Sequence, residues 1–230
     1  MIFRFFPILA GATLRDRLVA CFGALVAISL TGLVAAKIVG AGAALLIVAP
    51  MGASAVLVFA VPASPLAQPW SVIGGNVISA LVGVCIARAV PVPALAAGIA
   101  VAGAILAMSL SRSLHPPGGA TALMAVIGGP SIAALGWGFA LVPVGVNALI
   151  LAGIGVLFHR VSGHSYPHVA AVPGAGAAVA VGTGVSMPHR EDIDRALADL
   201  GETFDVSRED LDLLLQRAEF HAESRVRGVR

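Results

Sequence analysis

Long apolar runs alternate along this chain with short breaks of proline, glycine and serine. The first run covers about residues 18–36 and ends at Lys37. A second covers about 42–61, with Pro50-Met51-Gly52 in its middle, and prolines 62, 65 and 69 then mark a turn. A third runs from about 70 to 87 and stops at Arg88; Pro91 and Pro93 open a fourth, to about 110. A fifth piece, about 119–127, is too short to span by itself, and a sixth, about 132–158, is long with Pro143 as an expected kink. The pattern predicts an all-α polytopic membrane protein of about six transmembrane or half-membrane helices. Six crossings are favoured over a fifth segment that dips in and returns. Only 11% of the 230 residues are charged against 58% hydrophobic, a balance that excludes a soluble domain.

The break at residues 111–122, Ser-Arg-Ser-Leu-His-Pro-Pro-Gly-Gly-Ala-Thr-Ala, is the feature around which the rest is organised. Two prolines remove backbone donors, two glycines loosen the chain, and Arg112 and His115 sit beside them at membrane depth. Irregular backbone is tolerated there only inside protein or along a water-filled cavity. The alternative is a tight polar turn at the membrane surface.

Pro50-Met51-Gly52-Ala53-Ser54-Ala55 resembles Pro117-Gly118-Gly119-Ala120-Thr121-Ala122 at an offset of about 67 residues, and the same offset carries Trp70 onto Trp137. Each half then holds three segments with a break in the second. Three crossings per half make a 3+3 inverted repeat with broken helices, as in many secondary transporters.

Charge is segregated. Between Arg17 and Arg190 there is no Asp or Glu, and the basic residues are Lys37, Arg88, Arg112 and Arg160. Cation carriers and cation pores commonly rely on intramembrane carboxylates, so a region with only positive fixed charge favours anions. The positive-inside rule places Arg4, Arg15, Arg17, Arg112 and Arg160 on the cytoplasmic side and Lys37 and Arg88 outside, with both termini cytoplasmic.

If each break starts a half-helix, backbone N–H groups at Gly52, Ala53 and Ser54, and at Gly119, Ala120 and Thr121, are expected to be free beside the positive end of a helix dipole. Together with Gly118 and the Ser54 and Thr121 hydroxyls they form a candidate anion site, with Arg112 or His115 supplying full charge or gating the entry. The competing reading is that the small residues only let helices pack closely. Asn76 and Asn147 lie in the third segment of each half, either lining the pathway or bonding helix to helix. Trp70 and Trp137 are expected to anchor at the interface.

An intramembrane enzyme is not expected: no carboxylate is available to orient His115 as a base. No cofactor, metal or nucleic acid partner is expected. His159, His164 and His168 read as juxtamembrane residues rather than a metal site, and Cys21 and Cys85 as small buried hydrophobes. Residues 1–17 read as an interfacial segment rather than a cleaved signal, 18–160 as the membrane domain, 161–189 as a flexible linker or a further span, and 190–230 as a cytoplasmic tail. In the tail, Ile193, Leu197 and Leu200 form one apolar stripe and Leu211, Leu214, Leu215 and Ala218 another. Ser207-Arg208-Glu209-Asp210 resembles a capping box for the second helix.

Residues 111–122, with Pro50 to Ala55, resemble the HPP family of integral membrane proteins, the resemblance covering about 14–161. It implies a transporter-like domain of a bacterial inner membrane, with relatives associated with nitrite transport. Many relatives carry CBS domains after a linker like 190–219; this chain ends where they would begin, and no nucleotide regulation is assigned to it. The expected partners are a small anion (nitrite first, with nitrate, formate, chloride and bicarbonate as alternatives), the bilayer, and a second copy in a homodimer formed through small residues and the tail. The alternative function is a membrane anchor or sensor acting through that tail.

Overall fold

The structure is a computed structural model and describes residues 9, 12–39, 47–169, 190–200, 205–206 and 210–218. Among the described residues, four helical spans are long and apolar enough to cross a membrane: α1 (Leu14–Val39), α3 (Pro69–Ala89), α4 (Pro93–Leu110) and Ala140–Ser162, whose regular part is α7 (Val146–Ser162). Two apolar helices of the membrane domain are of half length, α2 (Pro50–Ala60) with 11 residues and α5 (Pro116–Ile127) with 12. At 1.5 Å per residue they measure about 17 and 18 Å, little more than half the ~30 Å hydrocarbon layer. The order long, half-length, long occurs twice. The protein is an all-α polytopic membrane protein.

Proline sets the helix starts. α2, α3, α4, α5 and the short α6 (Pro130–Leu135) each open on one. At the first helical position the missing N–H costs nothing and the ring presets φ. The fifth segment therefore begins at Pro116, inside the break. The sixth segment is not one helix. Gly136, at φ 52°, ends α6, and the chain resumes as a distorted turn at Ala140–Gly145, where Val142 leaves helical geometry ahead of Pro143.

Side-chain size sorts outward. Leu18, Phe22, Leu25, Leu33, Leu106 and Leu157 are exposed, as befits lipid-facing positions, whereas Ala80, Ala100, Ala104, Ala122 and Ala148 are fully buried. Cys21 and Cys85 are also exposed, correcting the expectation that they are buried. An outward sulfhydryl meets hydrocarbon, so its small apolar character is satisfied without burial. Glycine brings α3 and α5 together: a Cβ at Gly83 would lie 2.5 Å from the Ala122 carbonyl oxygen.

One compact unit runs from Arg17 to His168. Arg17, at the start of α1, donates from Nη1 to the Ala60 carbonyl (3.0 Å), and His159, near the end of α7, bonds the Val58 carbonyl from Nε2 (2.9 Å). Entry and exit of the membrane domain therefore lie at the same end, where α2 turns into α3 through the 3-10 turn Pro65–Ala67. The turn is held from several elements. Tyr166 donates its hydroxyl to the Ala67 carbonyl (2.8 Å), Ser71 donates to the Pro65 carbonyl (2.9 Å), and the His168 N–H donates to Gln68 Oε1 (2.8 Å). Eight residues of the stretch read as linker, 161–168, thus belong to this unit. Trp70 lies at this end, donating to the Ser111 carbonyl (3.1 Å). Trp137 lies at the opposite end, 5.5 Å beneath the Arg88 guanidinium. Both indoles are about half exposed.

Among the described residues of the tail, 190–200, 205–206 and 210–218, a small apolar cluster forms. Ile193 and Leu197 of α8 (Arg190–Leu200) pack with Val206, Leu211 and Leu215, so the two apolar stripes find each other. Residues 170–189, most of the proposed capping box and the N-terminal segment before residue 9 lie outside the described residues.

Candidate functional site

α2 and α5 run in opposite directions. α2 ends at Ala60 near Arg17, while α5 starts at His115 close to the 3-10 turn and proceeds along α3 toward its Arg88 end. Their second turns meet at Asn76, the eighth of the 21 residues of α3. Asn76 Nδ2 donates to Ser54 Oγ of α2 (3.3 Å), and Thr121 Oγ1 of α5 donates to Asn76 Oδ1 (2.6 Å). The amide also donates to the Val72 carbonyl one turn back on α3 (2.8 Å). Ser54 and Thr121 each have a second acceptor four residues earlier, the Pro50 carbonyl at 3.2 Å and the Pro117 carbonyl at 3.3 Å.

His115 completes the chain. Nδ1 is 2.8 Å from the Leu66 carbonyl oxygen and Nε2 is 2.8 Å from Ser54 Oγ. Leu66, Ser54, Asn76 and Thr121 are thereby linked through one imidazole. Ser54, Asn76, His115 and Thr121 are all fully buried. Buried polar groups at such depth are costly unless bonded, and these bond each other. Local sequence explains the backbone here: a residue before proline is driven out of α geometry, and His115, before Pro116, is extended (φ −143°, ψ 105°).

The other predicted residues divide. Gly118 is buried against α3, where a Cβ would meet Ser79 Oγ at 2.6 Å and the Gly75 carbonyl at 3.0 Å; Gly119 is half-buried. Asn147 is fully buried on α7. Gly52, Ala53 and Ala120 are exposed. So is Arg112, which lies outside the buried cluster, in the left-handed region at φ 54°. There it closes α4, with the Ser113 N–H donating to the Met108 carbonyl (2.9 Å).

The expectation of free helix-start donors is corrected at Gly52. The Gly52 N–H donates to the Ala49 carbonyl (3.1 Å) and the Gly118 N–H to the His115 carbonyl (2.8 Å), while Pro116 and Pro117 have none to give. Tight 3-10 bonding consumes these donors when no ligand competes. Sequence reading also missed Ser79. One turn beyond Asn76 on α3, it is fully buried and its Oγ has no hydrogen-bond partner among the described residues. Its i, i+3 spacing from Asn76 was the available signal.

His159 is the second buried histidine. Its Nδ1 is 3.0 Å from Ser162 Oγ, which in turn is 3.2 Å from His164 Nδ1, so the histidine cluster is held by hydroxyl and carbonyl oxygens. Burial raises the Tyr166 phenol well above its ordinary range.

Residues 10–167 match the family model described as HPP, transmembrane region. Two transmembrane proteins of Dictyostelium discoideum are similar: one is 42% identical over 109 residues, which is 46% of this chain and 38% of that protein. The other is 47% identical over 79 residues, 33% of this chain and 25% of that protein. The chain thus aligns with well under half the length of these curated relatives. No solved structure matches.

Proposed function

This chain belongs to the HPP transmembrane family, and we propose that it moves a small inorganic anion, nitrite first, across the membrane through a site between two broken helices. One observation carries the reading. The second turns of two oppositely directed half-length helices meet on a single side chain, Asn76, in a region where every fixed charge from Arg17 to Arg160 is positive. Half-helices meeting inside a bundle are how repeat-built transporters bring dipole ends and polar groups to a substrate. The Ser79 hydroxyl, buried beside the first turn of α5, is a donor ready for an anion. Thr121 turns its hydroxyl from Asn76 to the ion, beside Ser54 and Asn76. Gly52, Ala53, Gly118, Gly119, Ala120 and Asn147 shape the passage, and Arg112 draws anions to the mouth.

In this reading the two halves, α1–α3 and α4–α7, form an inverted repeat, with Trp70 and Trp137 at opposite ends. The end carrying Arg17, Arg112 and Arg160 is cytoplasmic by the positive-inside rule, in a bacterial inner membrane. No enzyme chemistry is invoked, and a homodimer formed through small residues remains part of the proposal.

Nitrite uptake by purified protein in sealed liposomes, with nitrate, chloride and formate as competitors, tests it. Uptake above protein-free liposomes is expected, with the competitors ranked by inhibition. Folded protein that moves none of these ions would overturn the reading in favour of a membrane anchor acting through the packed pair formed by α8 and residues 210–218.

A further inference from the structure

The meeting point of the half-helices holds one ionisable side chain, His115, fully buried and engaged at both ring nitrogens. The Leu66 carbonyl only accepts, so Nδ1 keeps a hydrogen and Nε2 is where a proton is gained or lost. Ser54, opposite Nε2, has one hydroxyl hydrogen and two acceptors for it: Nε2 at 2.8 Å and the Pro50 carbonyl at 3.2 Å. With a neutral ring, Ser54 donates to Nε2. With a proton on Nε2, the ring N–H donates to Ser54 Oγ and the hydroxyl hydrogen turns to Pro50. Asn76 Nδ2 donates to the same oxygen in both cases. The cluster therefore stays hydrogen-bonded in either protonation state.

The groups facing the ring carry no charge: Ser54 on α2, the Leu66 carbonyl on the 3-10 turn, and Gly75 on α3. Arg112, three residues earlier, is exposed, and His159 is engaged with the Val58 carbonyl and Ser162. No carboxylate occurs between Arg17 and Arg190. A protonated His115 is then a buried cation with no fixed counter-charge, and a lone anion in the same place meets the same desolvation penalty. Bound together, the two cancel.

We propose that transport is electroneutral symport, with His115 Nε2 taking one proton for each monovalent anion bound and releasing it as the anion leaves. The inference rests on the anion-transport reading above. The proton comes from water on one side, resides on Nε2 and returns to water on the other. No covalent bond to the anion forms, and Ser54 is the positioning residue that accepts the new N–H.

The test uses the full chain in sealed liposomes with nitrite and, separately, nitrate, whose conjugate acid is too strong to carry it across unaided. Internal pH is followed by a trapped dye while potassium and valinomycin set the membrane potential. An inwardly directed proton gradient should drive accumulation with one proton per anion, and the imposed potential should leave the rate unchanged. His115→Gln should cut gradient-driven uptake at least tenfold, and Ser54→Ala should shift its pH profile. Uptake that follows the potential without internal acidification, or proton-coupled uptake retained by His115→Gln, overturns the inference while leaving anion transport standing. Absence of uptake by folded wild-type protein removes the transport reading instead. Nitrogen-15 NMR of His115 in micelles is independent of flux and of how well the variants fold. Added nitrite should raise the protonation midpoint by about one pH unit, a tenfold coupling. An unmoved midpoint overturns the inference by itself.

Discussion

Ser54 and Thr121, 67 residues apart, bond the same side chain: one accepts from the Asn76 amide nitrogen and the other donates to its amide oxygen. They occupy equivalent positions in the two similar sequence stretches, and each has its second acceptor four residues earlier. One asparagine thereby joins the second turns of two helices that come from different halves of the chain. Neither hydroxyl touches the other. Asn76 alone, with a donor and an acceptor on one planar group, can satisfy both.

That relationship predicts energetic coupling at a distance. Ser54→Ala and Thr121→Ala should show a non-additive stability effect of about 0.5 kcal/mol or more in a double-mutant cycle. The coupling should vanish in an Asn76→Ala background. Asn76→Ala itself should cost roughly 2–3 kcal/mol, since it leaves buried groups short of partners and opens a small cavity. Chemical unfolding in detergent micelles measures all of these, and strict additivity in the wild-type background would show that Asn76 does not connect the two sites.

Close packing of α3 on α5 gives a contrasting pair. Gly83→Ala places a methyl 2.5 Å from the Ala122 carbonyl oxygen, a backbone atom that cannot swing aside, whereas a Cβ at Gly52 meets nothing within 4 Å. Gly83→Ala should destabilise by about 1–3 kcal/mol. Gly52→Ala should be neutral or slightly stabilising in the same unfolding assay, since alanine is the better helix former.

Tyr166 makes stability depend on alkaline pH. Its folded-state pKa lies above the ordinary 10.0 because burial disfavours the phenolate. The contribution is therefore complete below about pH 10 and is lost as pH rises toward the folded-state value. Melting temperature measured from pH 8 upward should fall in the wild type once pH exceeds about 10. Tyr166→Phe should start lower, by about 1 kcal/mol for the lost bond to the Ala67 carbonyl, and should show a shallower alkaline decline.

Much of this protein is written locally. The apolar runs fix which residues enter the bilayer, because 1.5 Å per residue against a layer about 30 Å thick leaves few alternatives. Prolines at 50, 69, 93, 116 and 130 mark helix starts, since proline loses nothing there. The absence of acidic residues and the resemblance of Pro50–Ala55 to Pro117–Ala122 are likewise legible without coordinates. Ser54, Asn76, His115 and Thr121 could each be named as polar residues in apolar surroundings.

What partners they take is a tertiary matter. Asn76 is 22 residues from Ser54 and 45 from Thr121, and His115 is 49 from Leu66, separations at which local pattern carries no information on contact. Folding the second half against the first decided that the donors at Gly52 and Gly118 close onto their own chain. It also decided that Arg112 lies outside the cluster and Ser79 within it. A buried polar group must find a partner wherever the fold brings one; the sequence set these polar residues among apolar ones, and only three-dimensional packing could choose which are buried and with what partners.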